Sequence, residues 1–217
     1  MCASYGLQVE APDIHYGFSV IDEQTPTAAL DEWLEEFRDE PVKPTGVHRR
    51  NLNPIVRERV RATGEGEERR RSIDLAWWKL WVGGEPAKFP AINARIEGLV
   101  GSGAWGGPLK ARRALVPATE YYEKGHRFAL PDHELFGFAG LWNVTKTPDG
   151  EWMVSYAIVT RPASPHLAGI HDRMPVIVPR DHYDRWLDPT VPGDQGMLDE
   201  LLAVSTPLGE SLVISEL

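Results

Sequence analysis

Cys2 is the only cysteine among 217 residues, and it directly follows Met1 in "MCASYGLQ". Cysteine is small enough for the preceding methionine to be removed, which would leave an α-amine and a thiol on one residue. These groups titrate near neutrality, at about 7.7–8.0 and about 8.5. Such a 1,2-aminothiol traps an aldehyde: the amine forms an imine and the thiol closes it to a five-membered thiazolidine. Position alone favours a functionless thiol at a chain end, so the other residues have to decide.

Three polar clusters interrupt apolar strand context. In "PAINARIEG", Asn93, Arg95 and Glu97 stand at alternate positions, which in a strand places all three on one face. An exposed edge strand would read the same way. The stretch "RRALVPATEYYEK" ends in Glu120, Tyr121, Tyr122 and Glu123. A carboxylate beside aromatic rings has its charged form disfavoured, which suits a general acid or base; a surface glutamate after a strand is the plainer alternative. In "HLAGIHDRMPVIVP", His171, Asp172 and Arg173 precede an apolar run, so His171 is either a proton shuttle or a loop residue. His166 and His171 are five apart, which is not metal-ligand spacing on a helix, and one cysteine excludes a Cys-rich metal site. No metal and no cofactor are therefore expected. The tryptophans Trp77, Trp78 and Trp81 form either core or a stacking surface for bases.

The elements that must carry these groups are short. "TPTAALDEWLEEFRDEP" predicts a helix capped by Thr25, with Pro26 in its first turn and Leu30, Trp33, Leu34 and Phe37 on one face. Further helices are expected over "DHYDRWL" and "QGMLDELLAV". "RALVPA", "FGFAGLWNV", "EWMVSYAIVT" and "MPVIVP" read as strands, with "TKTPDGEW" as a hairpin connection. Strands do not alternate regularly with helices. The expected class is α+β: one domain over residues 1–217, with a mainly antiparallel, curled, barrel-like sheet and peripheral helices.

Hydrophobic content of 42% and charged content of 25% are ordinary globular values, and no apolar run reaches bilayer length. With no secretory pattern, the cytoplasm is the expected compartment. A net charge of -9 argues against a general nucleic-acid coat protein. Arginines nevertheless cluster at 49, 50, 57, 59, 61, 69, 70 and 71. That run reads either as a local anion-binding surface or as a solvated loop around "GEGEERRR".

Taken in order, these segments resemble the SOS-response-associated peptidase family, over most of the chain. The carriers are Met1-Cys2, "NLNP" at Asn51–Pro54, "NARIE" at Asn93–Glu97, "RRALVPATEYYEK" and "IVTRPASPHLAGIHDRMPVIV". The resemblance implies autocatalytic removal of Met1 and binding of single-stranded DNA at abasic sites. There the N-terminal cysteine would capture the sugar aldehyde as a thiazolidine crosslink, with lyase-like chemistry as a further activity. On the matching positions it makes Cys2 the nucleophile, Glu123 the catalytic glutamate, His171 the proton-transferring histidine and Asn93 the orienting amide. Arg95, Arg173 and Thr160, with Asn51, Pro54, Trp81 and Arg112, would face DNA. Glu120 is expected to matter little for maturation or crosslinking. A monomer, associated with the nucleoid when on DNA, is expected, with no membrane partner. The chain departs from the family pattern at Ala3-Ser4, where Gly-Arg is usual, and at Thr119-Glu120 and Lys124. Two other readings remain: an N-terminal-nucleophile cysteine hydrolase, and a non-covalent single-stranded nucleic-acid module with a degenerate site.

Overall fold

The computed structural model describes residues 2–20, 27–38, 40–44, 52–64 and 66–217. Expectations placed on Met1, Thr25, Pro26, Arg49, Arg50 and Asn51 lie outside the described residues. In chain order the first elements are β1 (Tyr5–Gly6), α1 (Ala11–Gly17), α2 (Thr27–Phe37), β2 (Leu52–Thr63) and β3 (Gly66–Trp78). Next come β4 (Trp81–Val82), β5 (Glu85–Pro86), β6 (Asn93–Arg95), α3 (Gly106–Ala111), β7 (Arg113–Ala118), β8 (Glu120–Glu123) and β9 (His126–Ala129). The chain finishes with β10 (Phe136–Lys146), β11 (Trp152–Pro162), β12 (Arg173–Pro175), β13 (Ile177–Val178), α4 (Tyr183–Leu187), α5 (Gln195–Glu210) and β14 (Val213–Glu216).

The sheet order gives the α+β class its form. Antiparallel pairs join β3 to β2, β2 to β7, β7 to β10 and β10 to β11. A two-residue parallel pairing, Ser155 with Trp77 and Tyr156 with Trp78, joins β11 back to β3 and closes a ring of five strands. Ring closure removes the unpaired edges that an open sheet would expose. Its interior is filled by residues such as Trp78, Tyr156, Ile55 and Phe138, all fully buried. A second sheet, in the order β1-β8-β9-β14, carries the N-terminal segment. Helix α2 buries Leu30, Trp33, Leu34 and Phe37, the face that the sequence spacing marks as apolar.

Two sequence expectations change. The charged stretch "GEGEERRR" is not a loop: it belongs to the β2–β3 hairpin, whose register runs unbroken from Leu52–Trp77 to Thr63–Gly66. Several of its arginines serve the fold. Arg57 donates two 2.8 Å hydrogen bonds to Asp74 and lies over the Trp142 ring, while Arg71 binds Glu58 and Asp184. Pro54 is tolerated in β2 because β7 joins that strand only from Val56 onward.

"MPVIVP" is likewise not one strand. Strands β10 and β11 separate beyond Gly140–Ile158, and the segment wedges between them. The Val176 amide donates to the Val159 carbonyl and its own carbonyl accepts from Ala139, so β12 pairs with β11 and β13 with β10.

Candidate active site at the N-terminal cysteine

The N-terminal segment is held on both sides. Tyr5 exchanges backbone hydrogen bonds with Val42 (3.1 and 2.7 Å) and pairs with Tyr121 of β8, and the Tyr122 amide donates to the Ser4 carbonyl. The next position, Gly6, faces Glu120: a Cβ there would lie 2.8 Å from the Glu120 Cγ, so only glycine admits the buried carboxylate. Cys2 is thus delivered to a fixed place beside the far end of β8, and it is buried.

The second wall comes from the end of β11. Past the ring, β11 pairs with β6 on one edge (Ile158–Asn93 to Thr160–Arg95) and with β12 on the other (Thr160–Pro175 to Pro162–Arg173). This three-strand junction gathers Asn93, Thr160 and Arg173, although they are far apart in sequence. The Asn93 Nδ2 donates to the Cys2 carbonyl at 2.8 Å. Its Oδ1 is buried and has no hydrogen-bond partner among the described residues. An unmet acceptor beside the backbone of Cys2 has capacity left for a donor brought by a substrate or by an α-amine.

Glu123 and His171 complete the cluster. His171 Nε2 lies 4.0 Å from Glu123 Oε1. Its Nδ1 lies 2.9 Å from the Arg173 amide nitrogen and 2.9 Å from Asp172 Oδ1. An amide N–H only donates, so in the neutral ring Nδ1 accepts and the proton sits on Nε2, toward Glu123. Protonating the ring places a hydrogen on Nδ1 as well, which then suits Asp172.

Burial pushes the Cys2 thiol up to about 12, opposed by a backbone hydrogen bond with Ser4 and aided by the charge of Glu123. At neutral pH the group is therefore an S–H, not a thiolate. The hydroxyls of Tyr5 and Tyr156 are 3.0 Å apart, and Asn53 Nδ2 donates to Tyr156 at 3.1 Å. Burial raises the pKa of both tyrosines, with the Cys2 charge as a further cause.

The remaining predicted positions fall differently. Thr160 is buried, and its carbonyl accepts from Arg173 Nη2 at 2.7 Å. Arg173 also grips Glu97 with both Nη atoms, at 2.6 and 3.0 Å, and the Glu97 carboxyl is held low by it. A phosphate reaching Arg173 must displace Glu97. Arg95 is exposed. The expected single face for Asn93, Arg95 and Glu97 does not form, because β6 ends at Arg95 and a 3-10 turn over Ile96–Gly98 redirects the chain. Pro54 is buried within β2. Trp81 packs edge-on against Trp77 and Arg112 lies half-buried beside Gly107. No hydrogen bond or ion pair links the Trp81 or Arg112 side chain to the Cys2 cluster among the described residues. Trp78 and Trp77 are core.

Glu120 is not the surface glutamate that the plainer reading of this stretch allows. It is 3% exposed, accepts from the Tyr122 hydroxyl and from Gln8 Nε2, and lies 3.6 Å from Arg127. That satisfied burial makes it a structural carboxylate. Among the described residues no cluster of three or more His, Cys, Asp or Glu side chains could hold a metal ion. Nor is any helix there long and apolar enough to cross a membrane.

The geometry defines a class of protein in which a curled, closed β-structure holds a buried cysteine at position 2 beside an amide and a carboxylate, with an imidazole next to the carboxylate. The family model described as SOS response associated peptidase matches residues 1–214, and the chain belongs to that family. The abasic site processing protein YoaM of Bacillus subtilis is 29% identical over 173 residues, covering 75% of this chain and 76% of its own. Abasic site processing protein HMCES of Gallus gallus is 26% identical over 193 residues, covering 72% of this chain and 56% of its own. Among solved structures, a protein from Bacteroides thetaiotaomicron has a TM-score of 0.74 at 17% identity, covering all of this chain and 92% of its own. One from Bordetella bronchiseptica has a TM-score of 0.69 at 21% identity and covers 99% of that chain. These two likenesses concern the fold.

Proposed function

We propose that this chain processes abasic sites in single-stranded DNA by covalent capture through Cys2 once Met1 has been removed. The ring-opened abasic sugar offers a C1′ aldehyde. The Cys2 amine adds to it, water leaves and an imine forms. The thiol then adds across the C=N bond: sulfur bonds to carbon, its proton passes to nitrogen, and a thiazolidine closes. Aldehyde plus aminothiol gives thiazolidine plus one water, with no redox change.

The observation that carries this reading is that Asn93 grips the carbonyl of the buried Cys2 in a cluster that also holds Glu123 and His171. Sulfur attacks as the thiolate in imine addition as in amide hydrolysis, so the Cys2 proton must leave as the ring closes. The hydrolase reading is the weaker one because the curated relatives are named for abasic-site processing. In the capture, Glu123 takes the proton from the attacking amine and returns it to the departing hydroxyl. His171, with its Nε2 proton, serves ring opening by donating to the sugar oxygen. Asn93 orients the backbone of Cys2 so that amine and thiol reach one carbon. The SOS response associated peptidase name and the names of the curated relatives support the substrate class.

Intact mass of the purified chain, alone and after mixing with abasic single-stranded DNA, reads both steps. Loss of Met1, an adduct of one oligonucleotide minus one water, and no adduct for Cys2→Ala are the expected results. A chain with a confirmed free Cys2 that forms no adduct would refute the capture.

A further inference from the structure

A cleft of about 420 Å³ opens beside the reactive residue, within the range of sites that hold small ligands. Ser4 and Glu123 contribute to its lining, Pro41 and Leu217 give it apolar surface, and Lys43 and Lys124 bring cationic side chains. The two lysines arrive from opposite sides of the N-terminal segment. Lys43 follows Val42, which is bonded to one edge of Tyr5; Lys124 follows β8, which is bonded to the other. Neither lysine forms an ion pair among the described residues, in a chain of net charge -9 whose arginines 57, 69, 71 and 173 are all paired with carboxylates.

Lys124 also occupies a costly backbone. It and Gly125 form the turn between β8 and β9, with φ of 46° and 79°. The first position of such a left-handed turn favours Asn, Asp or Gly, and a lysine there is strained. Strain retained beside a reactive centre points to a role for the side chain.

We propose that Lys43 and Lys124 form a phosphate clamp that seats the phosphodiester flanking the abasic sugar in this cleft. The neighbouring base would lie on Pro41 and Leu217. The clamp rests on the capture reading above. It answers an electrostatic difficulty of that reading: Glu123 would repel a backbone phosphate next to Cys2, and two cations placed across the same cleft offset that repulsion. Arg173, closed on Glu97, is not free to do so.

The test measures crosslinking rates at limiting protein over a range of salt. Substrates are an abasic oligonucleotide with natural phosphodiesters and versions carrying a neutral methylphosphonate on the 5′ or 3′ side of the lesion. On the natural substrate K43Q/K124Q is expected to crosslink about tenfold more slowly, with a log–log salt slope shallower by about 0.7 for the one phosphate. One methylphosphonate should slow wild type to a similar degree and slow K43Q/K124Q no further. K43R/K124R should keep the wild-type rate, which separates charge from folding. Equal rates for K43Q/K124Q and wild type on natural DNA, or additive losses with both methylphosphonates, would overturn the clamp. Wild type is also mixed with 2-deoxyribose, an aldehyde source without phosphate. A Cys2 adduct there combined with lysine-independent DNA capture removes the clamp alone; no adduct with sugar or DNA removes capture and clamp together.

Discussion

Two parts of the molecule bury strongly polar groups and treat them in opposite ways. Around Arg113, which is 1% exposed, every guanidinium N–H has a partner. Nε donates to the Trp186 carbonyl at 2.6 Å and Nη1 to those of Leu109 and Lys110 at 2.7 and 2.9 Å. Nη2 donates to Asp188 and to Val191, and Trp186 Nε1 returns a bond to the Ala114 carbonyl. Around Cys2 the buried Asn93 Oδ1 has no partner among the described residues. The first arrangement uses up its hydrogen-bonding capacity and can only hold the fold. The second keeps capacity in reserve at a fixed place, which is the condition for binding and chemistry.

The sharpest way to break the contrast is at Arg113. Arg113→Met should destabilise the chain by about 3–5 kcal/mol, because five carbonyl contacts lose their donor in the interior, and should lower Tm by about 10 °C. Denaturant melts check it; a loss below about 1 kcal/mol would mean that water replaces the guanidinium and the corner is not sealed.

Next comes a test within one strand, where Glu120 and Glu123 differ only by three positions. Glu123→Gln should slow crosslinking by about 100-fold while leaving Tm nearly unchanged. Glu120→Gln should do the reverse, costing about 1–2 kcal/mol of stability and sparing the rate of the folded protein. Paired measurements of rate and Tm decide it, and a swap of the two outcomes would reverse the assignment.

The smallest effect concerns alkaline pH. Cys2 keeps its proton to about 12 in the fold, against 9.0 when unperturbed. Between those values the unfolded chain binds fewer protons, so rising pH favours unfolding, by about 1.4 kcal/mol per unit at most. Below pH 9 the thiol is protonated in both states and has no such influence. Cys2→Ser lacks the titration, so its stability relative to wild type should improve by about 2 kcal/mol from pH 8 to pH 11. Tyrosine ionisation is common to both proteins and cancels. A constant difference would show that the thiol meets solvent.

Much of the framework was legible because it depends on local pattern. The apolar face of α2, the β10–β11 hairpin around its Pro-Asp-Gly turn and the strand β7 follow from spacing and turn chemistry within about fifteen residues. The β2–β3 hairpin was missed because its outer half is charged on both faces and carries none of the alternation that signals a strand. The burial of Glu120 was not legible for a related reason: it depends on Gly6, 114 positions earlier, and no local feature marks that pairing. The Glu97–Arg173 clamp and the Tyr5–Tyr156 contact span 76 and 151 positions and have no sequence signal.

The sequence by itself determined the inventory: one thiol at position 2, a carboxylate after an aromatic pair, an imidazole before an apolar run, and an acidic chain with a few basic residues to spare. Residue types and short-range order are enough for that, because they set what each group can donate, accept or attack. Only the tertiary structure decided which of these groups meet and in what state. The junction of β6, β11 and β12 brings Asn93 to the Cys2 carbonyl, pairing with β8 and Val42 fixes the N-terminal segment, and burial keeps the thiol protonated. Those outcomes depend on non-local strand pairing and on loss of solvent, neither of which any short stretch of sequence contains.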